Sequence, residues 1–375
     1  MIGLSIAWRA AARGLDVVVL ERGGAGHGTS RHAAGMLAPI AEVTPGEEPL
    51  LELGLRSARL YPQFVSDVKA AAGVDTVGYT TAGTLLVARD ADEAEALERE
   101  LALRRRFGLE VERLRPSEAR RREPGLAPAL RLAVDVPSDH AVDPRALLPA
   151  LVRAVRASGG QLHENAPVTA VLSAGGRVTG VQLDDGSRLA AGAVVIASGV
   201  WSAAIDGLPD AGRVPVRPVK GQIMRLHDPA RPGLLERVIR MGSSYITPRG
   251  DGRYVIGATS EERGFDTTVT AGAAFELLRD ASELVPGVSE WVLDEFAAGL
   301  RPGTPDNLPA IGAGGSESLD GLYWAVGHRR GGVLLAPITA ELIVDALQGR
   351  ERDLTAGAFA PGRFALAGTP TGSGS

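Results

Sequence analysis

Apolar residues recur at helical spacing at the start of the chain and then form a short continuous run. Leu4, Ala7 and Ala11 lie three or four residues apart, which is typical of the buried face of an α-helix. Residues 16–20, DVVVL, have the length and the β-branched composition of a buried parallel strand. The pattern therefore predicts a helix, a turn and a strand, and the acid Glu21 follows the strand.

A helix followed by such a strand is the second half of a βαβ dinucleotide-binding unit. In the complete unit a first strand ends in a G-x-G-x-x-G turn, the helix N-terminus faces the pyrophosphate, and a carboxylate binds the ribose. Gly3 fits the last glycine and Glu21 the ribose acid, but the first strand and the first two glycines have no counterpart. We expect the natural protein to continue upstream of Met1. The alternative is a unit without its central strand and half of its phosphate-binding N–H groups.

The rest of the chain divides into segments of nucleotide-binding type and of antiparallel type. Helices are predicted at residues 48–72, 90–107, 116–122, 143–158, 270–285 and 331–347, with Ser117, Asp143 and Thr270 as start signals. Strands of the first type are predicted at residues 168–172, 178–183, 193–197 and 322–327. Strands of the second type are predicted at residues 214–226, 238–241, 245–248, 254–258 and 293–300, and a hairpin at 78–88.

These segments alternate along the chain, which predicts an α/β fold with two interleaved domains. The first is a Rossmann-like nucleotide-binding domain, truncated at its first strand, formed by residues 1–48, 138–208 and 296–365. The second is an α+β domain with an antiparallel sheet, formed by residues 49–137 and 209–295. Residues 366–375 are expected to be a disordered tail.

Composition excludes several functional classes. A net charge of -5 with intermixed signs argues against nucleic-acid binding, and the run 104–106 of three arginines is interpreted as a solvated helix face. No apolar run is long enough for a membrane span, so a cytoplasmic location is expected. The chain has 0 cysteines, and its six histidines lack the spacing of metal ligands, so no metal site is expected.

Glycines and hydroxyl residues follow the first predicted strand. Residues 23–28 are rich in glycine, and Thr29, Ser30 and Gly35 come next. Short side chains and backbone N–H groups at this place suit a phosphate or the edge of a cofactor ring. An ordinary surface loop is the alternative.

Six segments, taken in order, resemble the D-amino-acid oxidase superfamily of FAD-dependent amine oxidases. They are ASGVW, RPVKGQ, SYITPRG, GRYVIGAT, GLRPGTPDNLPAIG and GHRRGGVLLAP, and the similarity covers nearly all of residues 1–365. Within the superfamily the chain is similar to the glycine oxidases of thiamine biosynthesis. The resemblance implies non-covalent FAD in the first domain and a small amino-acid substrate in the second. It also implies dioxygen as the electron acceptor, with release of hydrogen peroxide, and it leaves a homo-oligomer open.

The resemblance assigns roles to individual residues. It implies that Arg301, followed by Pro302, binds the substrate carboxylate with two parallel hydrogen bonds, a geometry that lysine does not reproduce. Tyr245 is implied to donate to the same carboxylate, and Arg330 corresponds to a second active-site arginine. Cofactor contacts are implied at Ile2, Gly3, Glu21, Arg22, Thr29, Ser30, Ala34, Gly35, Met36, Val168, His328, Arg329, Gly331, Gly332, Val333 and Leu334.

Some of these contacts carry a specific expectation. A helix that opens at Gly331 directs its partial positive charge at the flavin, and Gly332 permits close approach. The family often has asparagine where Gly331 stands. Met36 is expected to line one flavin face, and the Val168 backbone to meet the adenine. Trp201 is expected to pack a corner between sheet and helix.

Three functions remain open at this point. The first is oxidation of glycine to its imine for thiazole synthesis. The second is an oxidase or dehydrogenase of the same superfamily that acts on a D-amino acid, sarcosine or hydroxyproline. The third is a flavin-free protein, either truncated or a degenerate binding module.

Overall fold

The computed structural model describes residues 1–229, 233–314, 319–350 and 357–364. The tail predicted at residues 366–375 lies outside these ranges. The α-helices are α1 (Ile2–Ala12), α2 (Glu48–Ala72), α3 (Ala91–Arg106), α4 (Pro116–Arg122), α5 (Pro144–Ala157), α6 (Ala271–Leu284) and α7 (Ala336–Leu347). Short 3₁₀ helices are at Thr29–His32, Gly199–Ala204, Asp210–Gly212, Pro286–Glu290 and Pro361–Phe364.

The strands fall into four small groups and one large sheet. In chain order they are β1 (Val18–Leu20), β2 (Met36–Leu37), β3 (Thr84–Ala88), β4 (Glu112–Leu114), β5 (Leu132–Val136), β6 (His140–Ala141), β7 (Gln161–His163), β8 (Val168–Ala174), β9 (Arg177–Leu183), β10 (Arg188–Ala190), β11 (Val194–Ile196), β12 (Arg217–His227), β13 (Val238–Met241), β14 (Ser244–Pro248), β15 (Arg253–Gly257), β16 (Val292–Gly303), β17 (Ala310–Ala313) and β18 (Leu322–Val326). The small groups are β1-β7, β2-β6, β10-β9-β8 and β11-β18-β17. The expected α/β fold is confirmed.

Side-chain caps explain where several helices begin. The Asp143 carboxylate accepts the N–H of Arg145 at the start of α5, and Pro144 occupies the first turn. The Thr270 hydroxyl accepts an N–H at the start of α6. Both predicted start signals are therefore confirmed. Ser117 is not the cap of α4, because the helix begins one residue earlier and Arg115 holds the N-cap position.

The nucleotide-type layer consists of parallel strand pairs covered by helices. Strand β1 pairs with β7 and β11 pairs with β18, both in parallel. One apolar cluster joins α1, α5, α7 and α2, and Trp8 of α1 meets Phe64 of α2 edge to face at 5.6 Å. Helix α2 thus packs with the nucleotide-type helices. The domain boundary expected at residue 48 would assign α2 to the other domain, so it differs from the packing.

The large sheet has eight strands in the order β16-β12-β15-β14-β13-β3-β5-β4. Neighbours are antiparallel except β13 and β3. Because successive side chains alternate between faces, Met224 packs under α6 while Ile223 faces the segment at residues 34–36. Strand β16 runs through residue 296, where a domain boundary was expected, and continues without a break to Gly303.

Two predicted elements differ from the structure. Residues 78–88 do not form a hairpin, because β3 pairs with β5 and β13 while Thr80 bridges to Ala141. The last helix begins at Ala336 and not at Gly331, because hydrogen-bonded turns occupy the intervening residues.

The arginine run in α3 is not wholly a solvated face. Arg104 is buried and donates to the carbonyls of Ile40 and Ala41. Across the described ranges, the helices lack the combination of length and apolar character that a membrane crossing requires.

Candidate active site

Glycines in the large sheet form a flat floor beneath two of the predicted site residues. A Cβ added at Gly221 of β12 would lie 2.4 Å from both Nη atoms of Arg301. A Cβ added at Gly257 of β15 would lie 2.4 Å from the Tyr245 hydroxyl. Strand glycines commonly mark such close approach. Arg301 and Tyr245 therefore rest on bare backbone, on the same face of the sheet.

Arg301 is held by backbone carbonyls through one edge of its guanidinium. Nη1 donates to the carbonyl of Thr259 at 3.1 Å and more weakly to that of Lys220 at 3.4 Å. No described residue accepts a hydrogen bond from Nη2 or Nε. Since an arginine carries five N–H donors in a fixed fork, donors remain for a carboxylate ligand.

Tyr245 lies in the electrostatic field of Arg301. Burial raises the pKa of Tyr245; the positive charge of Arg301 opposes this shift and the negative charge of Glu42 adds to it. The phenol is thus neutral at physiological pH and keeps its proton for donation.

The segment at residues 38–44 lines a cleft next to these residues and is held by polar side chains. The Asp139 carboxylate accepts the N–H groups of Ile40 at 3.2 Å and Ala41 at 2.6 Å. Arg104 donates to the two carbonyls of the same residues at 3.0 and 2.9 Å, and Arg240 also donates to that of Ala41. Burial raises the pKa of Asp139 to about 7.

The residue that follows this clamped pair, Glu42, lines a cleft with Arg330 and Glu47. Arg330 is exposed, and its neighbour Arg329 donates its N–H to the Pro302 carbonyl at 2.8 Å. This hydrogen bond ties the turn at residues 328–335 to the end of β16. Burial lowers the pKa of Arg329, and Arg330 adds to the shift.

The turn at residues 328–335 presents backbone donors. Tyr61 of α2 donates to the Val333 carbonyl at 3.1 Å, so this carbonyl points toward α2. In a planar trans peptide the N–H of the next residue points in the opposite direction, so the Leu334 N–H points away from α2. Ser57 similarly holds the Leu334 carbonyl at 2.6 Å. Within the described chain, the N–H groups of residues 332–334 meet no backbone acceptor. Three adjacent donors without a protein partner fit the polar edge of a flavin.

The same turn contains two glycines with different amounts of free space and a buried histidine. A Cβ at Gly331 would lie 3.2 Å from Leu335, whereas one at Gly332 would meet its nearest atom, in His328, at 3.6 Å. The His328 imidazole is buried and its Nε2 lies 3.0 Å from the Thr339 hydroxyl. Burial lowers its pKa to about 3, so the ring is neutral.

The predicted nucleotide contacts at the N-terminal end lie around β1. A Cβ at Gly3 would lie 3.3 Å from Ala197, so α1 approaches β11 closely, and Ile2 packs against the same helical layer. The Glu21 carboxylate accepts the Gly23 N–H at 3.1 Å. The carbonyl of Glu21 accepts an N–H two residues before Val168, which places the start of β8 beside β1.

Trp201 lies beneath Arg22 at a corner of the same layer. The Arg22 guanidinium is 4.1 Å from the centroid of the indole, and Phe265 is the next ring, at 6.3 Å. The tryptophan is only partly buried. It therefore stacks on an exposed arginine rather than filling the interior.

The segment at residues 29–36 bridges the two layers. The Thr29 hydroxyl donates to the Leu300 carbonyl of β16 at 2.7 Å, and the Ala34 carbonyl accepts from Arg249 at 2.7 Å. Ser30 lies in the short helix and accepts the Ala33 N–H at 3.3 Å. Gly35 has φ +80°, and a Cβ there would lie 1.9 Å from the Val142 carbonyl oxygen. Met36 packs against the apolar cluster that contains Tyr245.

The structure thus brings Arg301 and Tyr245 together and places Arg330 in an adjoining cleft. Sequence reasoning missed the floor glycines, Glu42, and the clamp that Asp139 and Arg104 form on Ile40 and Ala41. Strand glycines were a signal that could have revealed the floor. No local signal pointed to the clamp, because its members are far apart in the chain.

A parallel layer with nucleotide-type turns, joined to an antiparallel sheet that presents an arginine and a tyrosine, is the architecture expected of an FAD-dependent oxidoreductase. The sequence profile of the DAO family, described as FAD dependent oxidoreductase, matches residues 1–346. The chain belongs to this family, and the resemblance found in the sequence is confirmed.

Within this family, the chain is similar to proteins named glycine oxidase and ThiO/ThiG. The glycine oxidase of Geobacillus kaustophilus is 36% identical over 94% of this chain and 91% of its own length. Its crystal structure has a TM-score of 0.88 at 34% identity and covers 96% of this chain and 95% of its own. The bifunctional protein ThiO/ThiG of a Synechocystis strain is 37% identical over 99% of this chain. The chain spans only 54% of that relative.

Proposed function

We propose that this FAD-dependent oxidoreductase oxidises glycine, small amines such as sarcosine, or D-amino acids to the imine. Dioxygen receives the electrons and hydrogen peroxide is released, and the imine serves thiazole formation in thiamine biosynthesis. The similarity to a glycine oxidase over 94% of the chain supports this activity. The observation that carries it is the Arg301 guanidinium, fixed over Gly221 with donors to spare beside Tyr245.

The proposed mechanism is mainly one of orientation. Bound FAD supplies the acceptor for the two electrons and the hydrogen of the substrate Cα. Arg301 grips the substrate carboxylate with two parallel hydrogen bonds, and the neutral Tyr245 hydroxyl donates a third. The carboxylate is then fixed above the glycine floor and the Cα is held at one position. Such positioning accounts for a large part of a barrier reduction without acid–base work by the protein.

We propose that the turn at residues 328–335 would hold the flavin end of FAD and that Glu21, Arg22 and Val168 would hold its nucleotide end. The free N–H groups of residues 332–334 support the first contact. The short helix at Thr29–His32 and the tight turn at Gly35 support Thr29, Ser30 and Met36 as further contacts between these two ends. Arg330, in the cleft with Glu42, is proposed as a second arginine at the substrate entrance. The FAD dependence of the family argues against the flavin-free alternative.

We further propose the two-domain division, with α2 moved to the FAD-binding side because it packs there. A cytoplasmic location and a homo-oligomer are also proposed. Size-exclusion chromatography with light scattering tests the oligomer.

Substrate turnover tests the activity. Peroxide release from the FAD-loaded enzyme is measured with glycine, sarcosine, D-proline and a bulky D-amino acid. We expect turnover of glycine; fast turnover of a bulky D-amino acid with none of glycine would overturn the proposal.

The carboxylate contact is tested by Arg301→Ala. Loss of a charge-assisted pair of about 3 kcal/mol raises KM for glycine by about 100-fold or more. Arg188→Ala, an exposed arginine of β10, is the matched control and leaves KM unchanged. An unchanged KM in Arg301→Ala would show that the carboxylate binds elsewhere.

A further inference from the structure

The far face of β12, opposite Arg301, carries two buried polar side chains. Lys220 is 1% exposed and Gln222 is 0% exposed. A buried ammonium is costly unless a carboxylate pairs with it. Nζ of Lys220 lies 2.8 Å from Asp266 and 3.9 Å from Glu261. Both acids belong to the segment at residues 258–270, between β15 and α6.

That segment is joined to β12 by side chains as well as by backbone. The backbones of Lys220 and Glu261 exchange two hydrogen bonds, of 2.9 and 3.0 Å. The Gln222 amide donates to the Glu261 carboxylate at 2.7 Å and accepts the Thr270 N–H at 2.8 Å. The Thr259 hydroxyl donates to the same Glu261 oxygen at 2.6 Å and accepts the Gln222 N–H at 3.0 Å.

The network ends at Arg301. Its Nη1 atom has two acceptors, the carbonyls of Thr259 and Lys220, and both residues are members of the network. Thr259 joins the two parts directly, because its hydroxyl binds Glu261 and its carbonyl binds Arg301. A shift of the Thr259 peptide therefore moves the acceptor on which the guanidinium depends.

We propose that Lys220, Gln222 and Glu261 are positioning residues that fix Arg301, through Thr259, for the substrate carboxylate. This inference rests on the proposed function of Arg301. The residues act on the substrate only through the guanidinium, since their side chains lie on the opposite face of the sheet. A displacement of about 1 Å at a substrate-orienting group is enough to impair binding and turnover strongly.

Glu261→Gln and Thr259→Val test the network in the FAD-loaded enzyme. Acetate, followed by the change in flavin absorbance, reports the carboxylate site without turnover. We expect the Kd of acetate and the KM of glycine to rise about tenfold in each variant, which corresponds to about 1.4 kcal/mol. Thr259→Ser keeps the hydroxyl and restores both values.

The adjacent Glu262→Gln is the matched control, because Glu262 is exposed and pairs only with Arg217 at the surface among the described residues. It leaves both values unchanged. Combining Glu261→Gln with Arg301→Ala separates positioning from general stability. We expect Glu261→Gln to weaken acetate binding no further once the guanidinium is absent.

Each remaining outcome counts against one specific claim. Acetate affinity within twofold of wild type in both Glu261→Gln and Thr259→Val, with only the Tm lowered, would overturn the positioning role. An undiminished effect of Glu261→Gln in the Arg301→Ala background would also overturn it. If Arg301→Ala alone leaves acetate binding unchanged, the failure lies in the proposed carboxylate site.

Discussion

Replacing Gly221 by alanine is expected to weaken substrate binding, because the Arg301 guanidinium rests on this residue. The new Cβ would lie 2.4 Å from Nη1 and Nη2, whereas ordinary contact begins at 3.4 Å. The guanidinium must therefore rise by about 1 Å, a shift large enough to disturb orientation. Its 3.1 Å hydrogen bond to Thr259 then breaks.

One hydrogen bond to a charged group is worth about 1.5–3 kcal/mol, so we expect KM for glycine to rise roughly 10- to 100-fold. Peroxide release at varied glycine concentration measures KM, and the flavin absorbance of the purified protein measures FAD content, which stays unchanged. Gly272→Ala in the first turn of α6 is the control, because nothing lies within 4 Å of its Cβ. A KM within twofold of wild type in Gly221→Ala would refute the account of the glycine floor.

Three further changes test other parts of the site. Tyr245→Phe removes one donor to the carboxylate, so KM rises about tenfold while the Tm stays constant; an unchanged KM contradicts its role. Gly35→Ala prevents folding or FAD uptake, because its Cβ would lie 1.9 Å from the Val142 carbonyl oxygen at φ +80°; soluble flavin-loaded protein contradicts this. The folded protein binds the Asp139 proton more tightly than the unfolded chain does, so this residue makes stability fall as pH rises from about 4 to about 7. Asp139→Asn removes that part of the slope of Tm against pH, and an unchanged slope contradicts the buried-acid assignment.

Local patterns predicted the elements whose partners are close in the chain. The caps Asp143 and Thr270 were readable because each side chain bonds an N–H in its own first turn. The hairpin at 78–88 was wrong because strand pairing in this sheet joins distant segments. The glycine floor was missed for the same reason. Gly221 and Gly257 lie beneath the site residues only because strands distant in the sequence, β12, β15 and β16, are neighbours in the sheet.

The charged residues show the same limit. Arg104 was assigned to a solvated face because its neighbours in α3 are acidic and basic. Its acceptors, at Ile40 and Ala41, lie 64 and 63 positions away in the chain. The predicted helix at 331–347 begins five residues too early. Paired glycines can start a helix or form turns, and here distant side chains, Ser57 and Tyr61, bind the carbonyls of the turns.

The bare backbone beneath Arg301 and Tyr245 also restricts how this enzyme can acquire new substrates. A main-chain surface cannot be trimmed, since glycine already has no side chain to lose. Room for a bulkier amine must therefore come from side chains around the floor, such as Glu42, whose charge acts on Tyr245, and Met36, which packs in the same apolar cluster as Tyr245. Directed evolution toward larger substrates is expected to accumulate changes there and to leave Gly221 and Gly257 untouched.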